Sequence, residues 1–178
     1  MLYNKAMGIV TKRGDRGKTS LFLGGAVAKN NPRVEMDGTL DELCSFVGMS
    51  KSLIKENSVK ECLESIQKDF FVIGAEVATE TRYLKRLVKR IDQSDVSRLE
   101  KVIKELESKR TLRECVFCLP GKSFLSSTLD VSRTIARRAE RQTVSLMNKK
   151  LLKNRYVLMY LNRLSDLLYL FARATEEA

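Results

Sequence analysis

Five stretches of this chain place apolar residues three and four positions apart, the spacing that buries one face of an α-helix. The first is predicted to begin at Thr39 and the second at Ser58, because each opens a capping-box pattern with Glu three residues later. The third is predicted to begin near Ser94, the fourth to cover about 124–149 and the fifth about 154–176. This coverage leaves little chain for strands and therefore predicts an all-α fold.

The predicted architecture is an up-and-down five-helix bundle in a single domain over residues 1–178. Residues 1–38 form its N-terminal part, which is rich in Gly, Lys, Arg and Asp from 11 onward and is expected to be an irregular loop. Residues 39–178 form the bundle. The fifth stretch is apolar around most of its circumference, which predicts burial on two sides, as in an oligomer.

Composition removes several classes of function. The net charge of +11 indicates an anionic partner such as nucleic acid, a membrane surface or a phosphorylated small molecule. The absence of histidine excludes His general bases and His-ligated metals. No apolar run approaches the ~20 residues that span a bilayer, and the N-terminus lacks a secretion signal, so we expect a cytoplasmic protein. Sparse aromatics and the lack of Trp disfavour a base-stacking surface for nucleic acid.

The four cysteines give only a weak metal signal. Cys115 and Cys118 form one CxxC pair, but a zinc site needs a second pair or histidines. We therefore expect reduced, mostly buried cysteines and no metal ligands from His or Cys.

The segment TKRGDRGKTS, residues 11–20, is a candidate phosphate-binding loop. Its glycines let backbone amides point at phosphate oxygens, and its Lys and Arg side chains add positive charge. Its end imitates a Walker A loop, but Lys12 stands where that motif needs Gly, and the residues that follow do not form a helical pattern. A P-loop NTPase is rejected, while phosphate binding and a simple solvated basic loop remain open.

The fourth predicted helix carries a stripe of Arg133, Arg137 and Arg141, spaced four residues apart. A charged stripe is usually a solvated face. Here one Glu, Glu140, cannot neutralise these arginines together with Arg138, so an acidic partner is expected. Either Asp41 on a facing helix or a polyphosphate fits.

The fifth predicted helix contains the polar motif YLNRLSD. Asn162 and Asp166 lie one turn apart on an otherwise apolar helix, with Tyr169 and Arg173 extending the stripe. Polar groups in such a setting need partners. A structural hydrogen-bond cluster and a ligand site are both consistent with the motif.

Four stretches resemble the PduO-type cobalamin adenosyltransferase family in order and spacing. They are TKRGDRGKTSLFLGG, KNNPRVEMDGTLDELCSFVG, the FCLPG loop followed by SRTIARRAERQ, and YLNRLSDLLYLFAR. They reach both ends of the chain, whereas residues 55–110 match only in helical character.

The resemblance implies an ATP:corrinoid adenosyltransferase, an enzyme that transfers the 5′-deoxyadenosyl group of ATP to Co(I) of cobalamin and releases triphosphate. It implies five-helix subunits of ferritin-like topology in a homotrimer, with active sites between adjacent subunits. ATP and cob(I)alamin are the implied substrates, and Mg²⁺ is bound mainly through ATP. A reductase and a B12-dependent enzyme are further partners that the resemblance suggests. Cobalt is the nucleophile, so the reaction needs no histidine.

The resemblance also assigns residues. The implied catalytic residues are Asp41, Phe117, Arg133 and Arg137, with Asp41 paired to Arg133 across the subunit interface and Phe117 closing the lower face of the corrin in the cobalamin pocket. The implied ATP contacts are Thr11, Lys12, Arg13, Gly14, Thr19, Ser20, Lys29, Arg137, Arg138, Glu140, Arg141 and Asn162. The chain departs from the family at Asp130, where relatives often have His, so this position cannot offer an imidazole to cobalamin.

Two alternative functions for a basic helical bundle are non-catalytic binding of nucleic acid or nucleotides, and metal binding. A non-catalytic nucleic-acid-binding or nucleotide-binding protein could use the same basic surface, and it predicts a steep salt dependence of polynucleotide affinity. A ferritin-like metal bundle needs inward Glu and Glu-x-x-His pairs, which a chain without histidine cannot supply.

Overall fold

The computed structural model describes residues 10, 12, 14–109 and 118–177 of the chain. Two short strands, β1 (Lys18–Ser20) and β2 (Ala26–Ala28), precede five α-helices. The helices are α1 (Pro32–Leu53), α2 (Asn57–Val77), α3 (Gln93–Lys109), α4 (Phe124–Asn148) and α5 (Arg155–Glu177), with a 3₁₀ turn over Thr81–Arg86 between α2 and α3. The predicted five-helix bundle is confirmed. The assignments made for Thr11, Arg13, Cys115 and Phe117 lie outside the described residues.

The predicted start of α1 at Thr39 is wrong. The helix begins at Pro32, and the side chain of Asn31 accepts a hydrogen bond from the Arg33 amide at 3.0 Å. Asn is a strong N-cap, and Pro suits the first helical position because its fixed φ is helical and its missing N–H has no intrahelical partner there. The Thr39 hydroxyl instead donates to the Glu35 carbonyl within the helix. Residues 32–38 therefore belong to the bundle.

The predicted capping box at Ser58 is also wrong. Helix α2 begins at Asn57 after Glu56, and no side chain caps it. The Ser58 hydroxyl donates to the Glu56 carboxylate instead of to the helix amides. The predicted start of the third helix and the predicted bounds of the last two agree with the structure to within one residue.

The N-terminal part is more regular than expected. Strands β1 and β2 pair antiparallel, with Lys18 opposite Ala28 and Ser20 opposite Ala26. The hairpin is tied to the end of α2: the Glu80 amide donates to the Leu23 carbonyl at 2.9 Å, and the Gly25 amide donates to the Glu80 carboxylate at 2.8 Å. That amide is the main cause of a lowered pKa for Glu80. The strands confirm that no helix follows Lys18, and so support the rejection of a P-loop.

One apolar core joins the five helices. Helix α1 packs against α2 and α4, and α5 packs against α4 and α3. The deepest residues of α5 include Leu161, Leu164, Leu167 and Leu168, each fully buried. Because α3 and α4 of the same chain cover α5, its apolar circumference does not by itself indicate an oligomer.

Two buried carboxylates of the core, Asp69 and Glu76, are paired. The Tyr160 hydroxyl donates to Asp69 at 2.7 Å, and Arg98 forms an ion pair with the same carboxylate. Glu76 is fully buried, with Arg90 and the Asn154 amide as its donors. Across the described helices, none is long and apolar enough to cross a membrane.

Candidate active site

A cleft lies where the hairpin meets α1 and α4. It has a volume of about 470 Å³ and is lined by Thr19, Lys29, Val34, Glu35, Gly38, Thr39, Glu42 and Arg138. Three of the predicted ATP contacts, Thr19, Lys29 and Arg138, therefore come together from three separate parts of the chain. Two cations and a hydroxyl on the walls of a cleft suit a phosphorylated ligand.

The turn before β1 brings the basic loop to this cleft. Lys12 and Gly17 have left-handed backbone conformations, with φ of 54° and 70°. The Lys29 amide donates to the Gly17 carbonyl at 2.9 Å. The Lys29 ammonium lies so close to Gly14 that a Cβ there would come within 2.9 Å of it. The predicted contacts Gly14 and Lys29 are thus neighbours, while Lys12 and Ser20 are exposed on the same segment.

The opposite wall is an ion pair between Arg138 of α4 and Glu42 of α1. Both side chains are less than half exposed, at 43% and 44%. The Nε atom of Arg138 is buried without a hydrogen-bond partner. In the sequence, Glu42 is recognisable only as the last residue of a capping-box pattern, which does not reveal Arg138 as its partner.

A second group of predicted residues lies between α4 and α5. The Asn162 amide donates to the Glu140 carboxylate at 2.9 Å, and Arg163 contacts both Asn162 and Asp166. Burial raises the pKa of Asp166, Arg163 opposes that shift, and Glu140 adds to it. Arg137 and Arg141 are exposed on the same helix as Glu140.

The two groups are separate within one chain. Between the first group, with Thr19, Lys29 and Arg138, and the second, with Glu140 and Asn162, the described residues form no hydrogen bond or ion pair. Arg138 was expected to act with Arg137 and Arg141, but its side chain belongs to the first group.

The predicted pair of Asp41 and Arg133 is not formed within the chain. The Arg133 Nε donates to Asp130 at 3.0 Å, one turn away on α4. Asp41 is exposed and lines a different cleft of about 670 Å³, whose walls include Phe70 and Phe71 of α2 and Asp37 of α1. Burial raises the pKa of Asp37, and the charge of Asp41 raises it further.

Asp130, the position where relatives often have His, is committed to structure. It is buried and forms one ion pair with the equally buried Arg173 of α5 and another with Arg133. Arg173 also contacts Cys118. Asp130 is therefore a structural anchor for α5 and not an open ligand contact.

The cysteines agree only in part with expectation. Cys44 and Cys62 are half-buried thiols, and burial raises the pKa of both. Cys118 is exposed, contrary to the expected burial. In the described part of the chain, no three side chains among His, Cys, Asp and Glu are placed to hold a metal ion.

The fold and the cleft define a class of protein: a five-helix bundle whose basic N-terminal hairpin forms a cleft against α1 and α4, with Lys29 and Arg138 on its walls. A family model for cobalamin adenosyltransferases matches residues 9–175. A corrinoid adenosyltransferase of Citrobacter freundii is 38% identical over 94% of this chain and 94% of its own length. The PduO corrinoid adenosyltransferase of the same organism is 41% identical, and this chain spans about half of its length.

Solved structures give the same result. A variant PduO-type ATP:corrinoid adenosyltransferase from Lactobacillus reuteri, complexed with cobalamin and ATP, superposes with a TM-score of 0.85 at 38% identity, covering 96% of this chain and 94% of the other. Another variant, complexed with ATP, gives a TM-score of 0.84 at 38% identity, with coverage of 95% and 94%. The chain belongs to the cobalamin adenosyltransferase family, and it is an ATP:corrinoid adenosyltransferase.

Proposed function

We propose that this enzyme binds the triphosphate of ATP in the cleft of Thr19, Lys29 and Arg138 and transfers the 5′-deoxyadenosyl group to Co(I) of cobalamin. The observation that carries the proposal is the convergence of these three residues from β1, the end of the hairpin and α4. One of the two relatives from L. reuteri was solved with cobalamin and ATP and the other with ATP, which supports the same pair of substrates here.

In this reaction the protein must align the two substrates and stabilise the charge that develops on the leaving triphosphate. Co(I) attacks the 5′ carbon of ATP, a Co–C bond forms, and the bond from that carbon to the triphosphate oxygen breaks. The electron pair of the broken bond leaves on triphosphate, and cobalt is formally oxidised to Co(III). Fixed cations close to the leaving oxygen stabilise its growing charge, and alignment of cobalt with carbon lowers the barrier further. A chain without histidine suits this reaction.

Two chains are proposed to share each active site. Arg137, Glu140, Arg141 and Asn162 lie on a surface of α4 and α5 that is separate from the cleft of the same chain. In a homotrimer, this surface of one subunit faces the cleft of the next and completes the ATP site there. Thr11, Lys12, Arg13, Gly14 and Ser20 extend the site along the basic loop.

Asp41 and Arg133 are proposed to meet across that interface. Asp41 and Asp37 place two carboxylates on an apolar cleft, where a cation from another subunit offsets their repulsion. The guanidinium of Arg133 has five N–H donors, so it can bind a second carboxylate while its Nε stays on Asp130.

The remaining parts follow the family resemblance. Phe117 is proposed to close the lower face of the corrin. Mg²⁺ is proposed to arrive on the phosphates of ATP, its preferred oxygen ligands, and to neutralise part of their charge. We further propose a cytoplasmic location, where a reductase supplies the Co(I) state and a B12-dependent enzyme takes the product.

The decisive experiment incubates the purified chain with Mg-ATP and chemically reduced cobalamin and measures adenosylcobalamin and triphosphate. We expect both products in equal amounts. Lys29→Ala should raise the KM for ATP at least tenfold, while Lys104→Ala, which removes an exposed lysine of α3, should leave it unchanged. Wild-type protein that forms no adenosylcobalamin, or equal effects of the two lysines, would contradict the proposal.

A further inference from the structure

Gly38 stands in the interior of α1, seven residues into a helix of 22. Glycine destabilises a helix interior relative to alanine, because it loses more backbone entropy and exposes the backbone. A glycine inside a helix usually allows another part of the protein or a ligand to come close to the helix backbone.

Two other helical glycines have such a reason within the chain. A Cβ on Gly74 of α2 would lie 2.8 Å from the Asp37 carboxylate, and one on Gly48 of α1 would lie 2.9 Å from the Gln67 amide. Gly38 differs, because a Cβ there would meet no heavy atom within 4 Å. The described part of the chain therefore leaves open space for alanine at Gly38, whereas at the other two glycines the tip of a neighbouring side chain would have to move.

Gly38 lines the candidate nucleotide cleft and also the larger cleft that contains Asp37 and Asp41. Lys29 and Arg138 line the candidate nucleotide cleft as well. The absent side chain therefore opens space where the proposed function places a nucleotide. A ligand that lies directly on the helix backbone would meet the Cβ that alanine adds.

The charges around Gly38 indicate which part of the nucleotide lies there. Glu35 and Glu42 stand on the same face of α1, one turn before and one turn after Gly38, and both line the cleft. The Glu42 carboxylate is already paired with Arg138, so we take Glu35 as the acceptor for ribose hydroxyls or an adenine amino group. The charge of Glu35 also repels a triphosphate at this end of the cleft. Lys29 and Arg138 supply the positive charge that the phosphates need.

We propose that Gly38 is a positioning residue of the ATP site, where the nucleoside part of ATP rests on the backbone of α1 while the triphosphate binds Lys29 and Arg138. The inference rests on the proposed function, since it takes ATP as the occupant of the cleft. It assigns the site two halves: one beside Glu35 for the nucleoside and a cationic wall for the phosphates.

The test uses Gly38→Ala with two ligands, ATP and inorganic triphosphate, both with Mg²⁺. The variant should unfold at the same temperature as wild type or higher, because alanine favours the helix and meets no intrachain atom. Its affinity for ATP should fall at least tenfold, and its affinity for triphosphate should change less than twofold. Gly74→Ala is the matched control, because it is the same change in a helix but outside the candidate nucleotide cleft, and its affinity for ATP should stay near wild type.

Other outcomes overturn the inference in distinguishable ways. Unchanged ATP affinity would show that ATP does not contact the backbone at Gly38. An equal loss of affinity for ATP and for triphosphate would place the phosphates there instead of the nucleoside. A lower unfolding temperature reveals a contact within the chain. Loss of ATP affinity that follows a change in oligomer mass assigns the close approach to a second copy of the chain. If wild-type protein binds no ATP, the proposed function itself fails.

Discussion

Arg138 on α4 and Glu42 on α1 form an ion pair that closes one wall of the proposed nucleotide cleft, across 96 residues of sequence. The pair fixes a guanidinium beside Lys29 and Thr19 before any ligand arrives. A guanidinium has five N–H donors, so Arg138 can bind an incoming oxygen atom while it stays paired with Glu42.

Arg138→Ala should weaken ATP binding far more than it weakens the fold. The lost ion pair is about half exposed, and such pairs contribute ~0–1 kcal/mol to the free energy of unfolding. A hydrogen bond to a charged phosphate contributes about 1.5–3 kcal/mol, so the KM for ATP should rise roughly 10- to 100-fold. Urea unfolding and steady-state kinetics measure the two effects. The control is Lys68→Ala, which removes an exposed ion pair of α2 and should leave the KM unchanged.

Arg173→Met should destabilise the fold strongly. Arg173 and Asp130 have side-chain exposures of 3% and 6%, and removal of Arg173 leaves the buried carboxylate with Arg133 as its remaining ionic partner. Because Arg133 remains, the expected loss lies at the lower end of the range for broken buried pairs, about 3 kcal/mol in the free energy of unfolding, measured by urea titration. Arg86→Met, at an exposed position of the 3₁₀ turn, should change it by less than about 0.5 kcal/mol. Similar losses for the two variants would show that Asp130 does not depend on Arg173.

The partners in these ion pairs could not be predicted from the sequence, although the helices that carry them could. The periodicity of α4 and α5 fixed their bounds well, since each carries a continuous apolar stripe. Helical spacing reports which residues share a face of one helix, but not which residue of another helix that face meets. Glu42 and Arg138 were therefore visible as separate charges, and their pairing was not. Asp130 was noticed only as a departure from the family, because nothing in the local sequence reveals Arg173 as its partner.

The errors at the N-terminal side have a local cause. Asn31 and Pro32 are a strong helix start, but the glycines and charges around them resemble a loop, and the cap pattern at Thr39 competed with them. Strands of three residues are too short to show a period of two. The cationic loop was found by composition, whereas its position against α1 depends on Glu80 at the far end of α2.

Asp37→Asn should stabilise the protein at neutral pH. Although Asp37 is exposed as a residue, its carboxylate packs on the backbone of α2 at Gly74, and this desolvation raises its pKa, with a further increase from Asp41. A raised carboxyl pKa means that the folded state binds its proton more tightly than the unfolded state does. The unfavourable contribution is thus present above the folded-state pKa and disappears as the pH falls through it toward 3.8.

Thermal unfolding at a series of pH values tests this. The stabilising effect of Asp37→Asn should be largest at neutral pH and should vanish in acid. Asp15→Asn, in the exposed turn before β1, provides the control and should show no such trend. A variant that is less stable than wild type at pH 7 would mean that the Asp37 carboxylate makes a net favourable contact.

Phe117→Ala should impair reduction of the cobalt more than binding of the nucleotide. The family resemblance assigns Phe117 to the lower face of the corrin, where an apolar wall displaces the axial ligand of Co(II) and makes reduction easier. ATP affinity should stay near wild type, turnover from Co(II) should fall sharply, and part of the loss should disappear with chemically prepared Co(I). Equal losses from both cobalt states would argue against this role. Phe124→Ala, at an exposed phenylalanine that begins α4, is the control.

Mixing two inactive variants should restore activity if the active site is shared between subunits. Lys12→Ala removes a cation from the basic loop, and Arg137→Ala removes one from the exposed face of α4. In a mixed trimer, some interfaces join the intact loop of one chain to the intact α4 of another, so those sites regain both cations. Activity should therefore appear only after the subunits exchange, which mass spectrometry of a size-tagged mixture can follow. The control mixes Lys12→Ala with Lys29→Ala; both changes lie on the hairpin side, so no interface regains a complete site. Full exchange without recovery in the first mixture would place all the ATP contacts within one chain, and the shared site would then be wrong even if the enzyme is active.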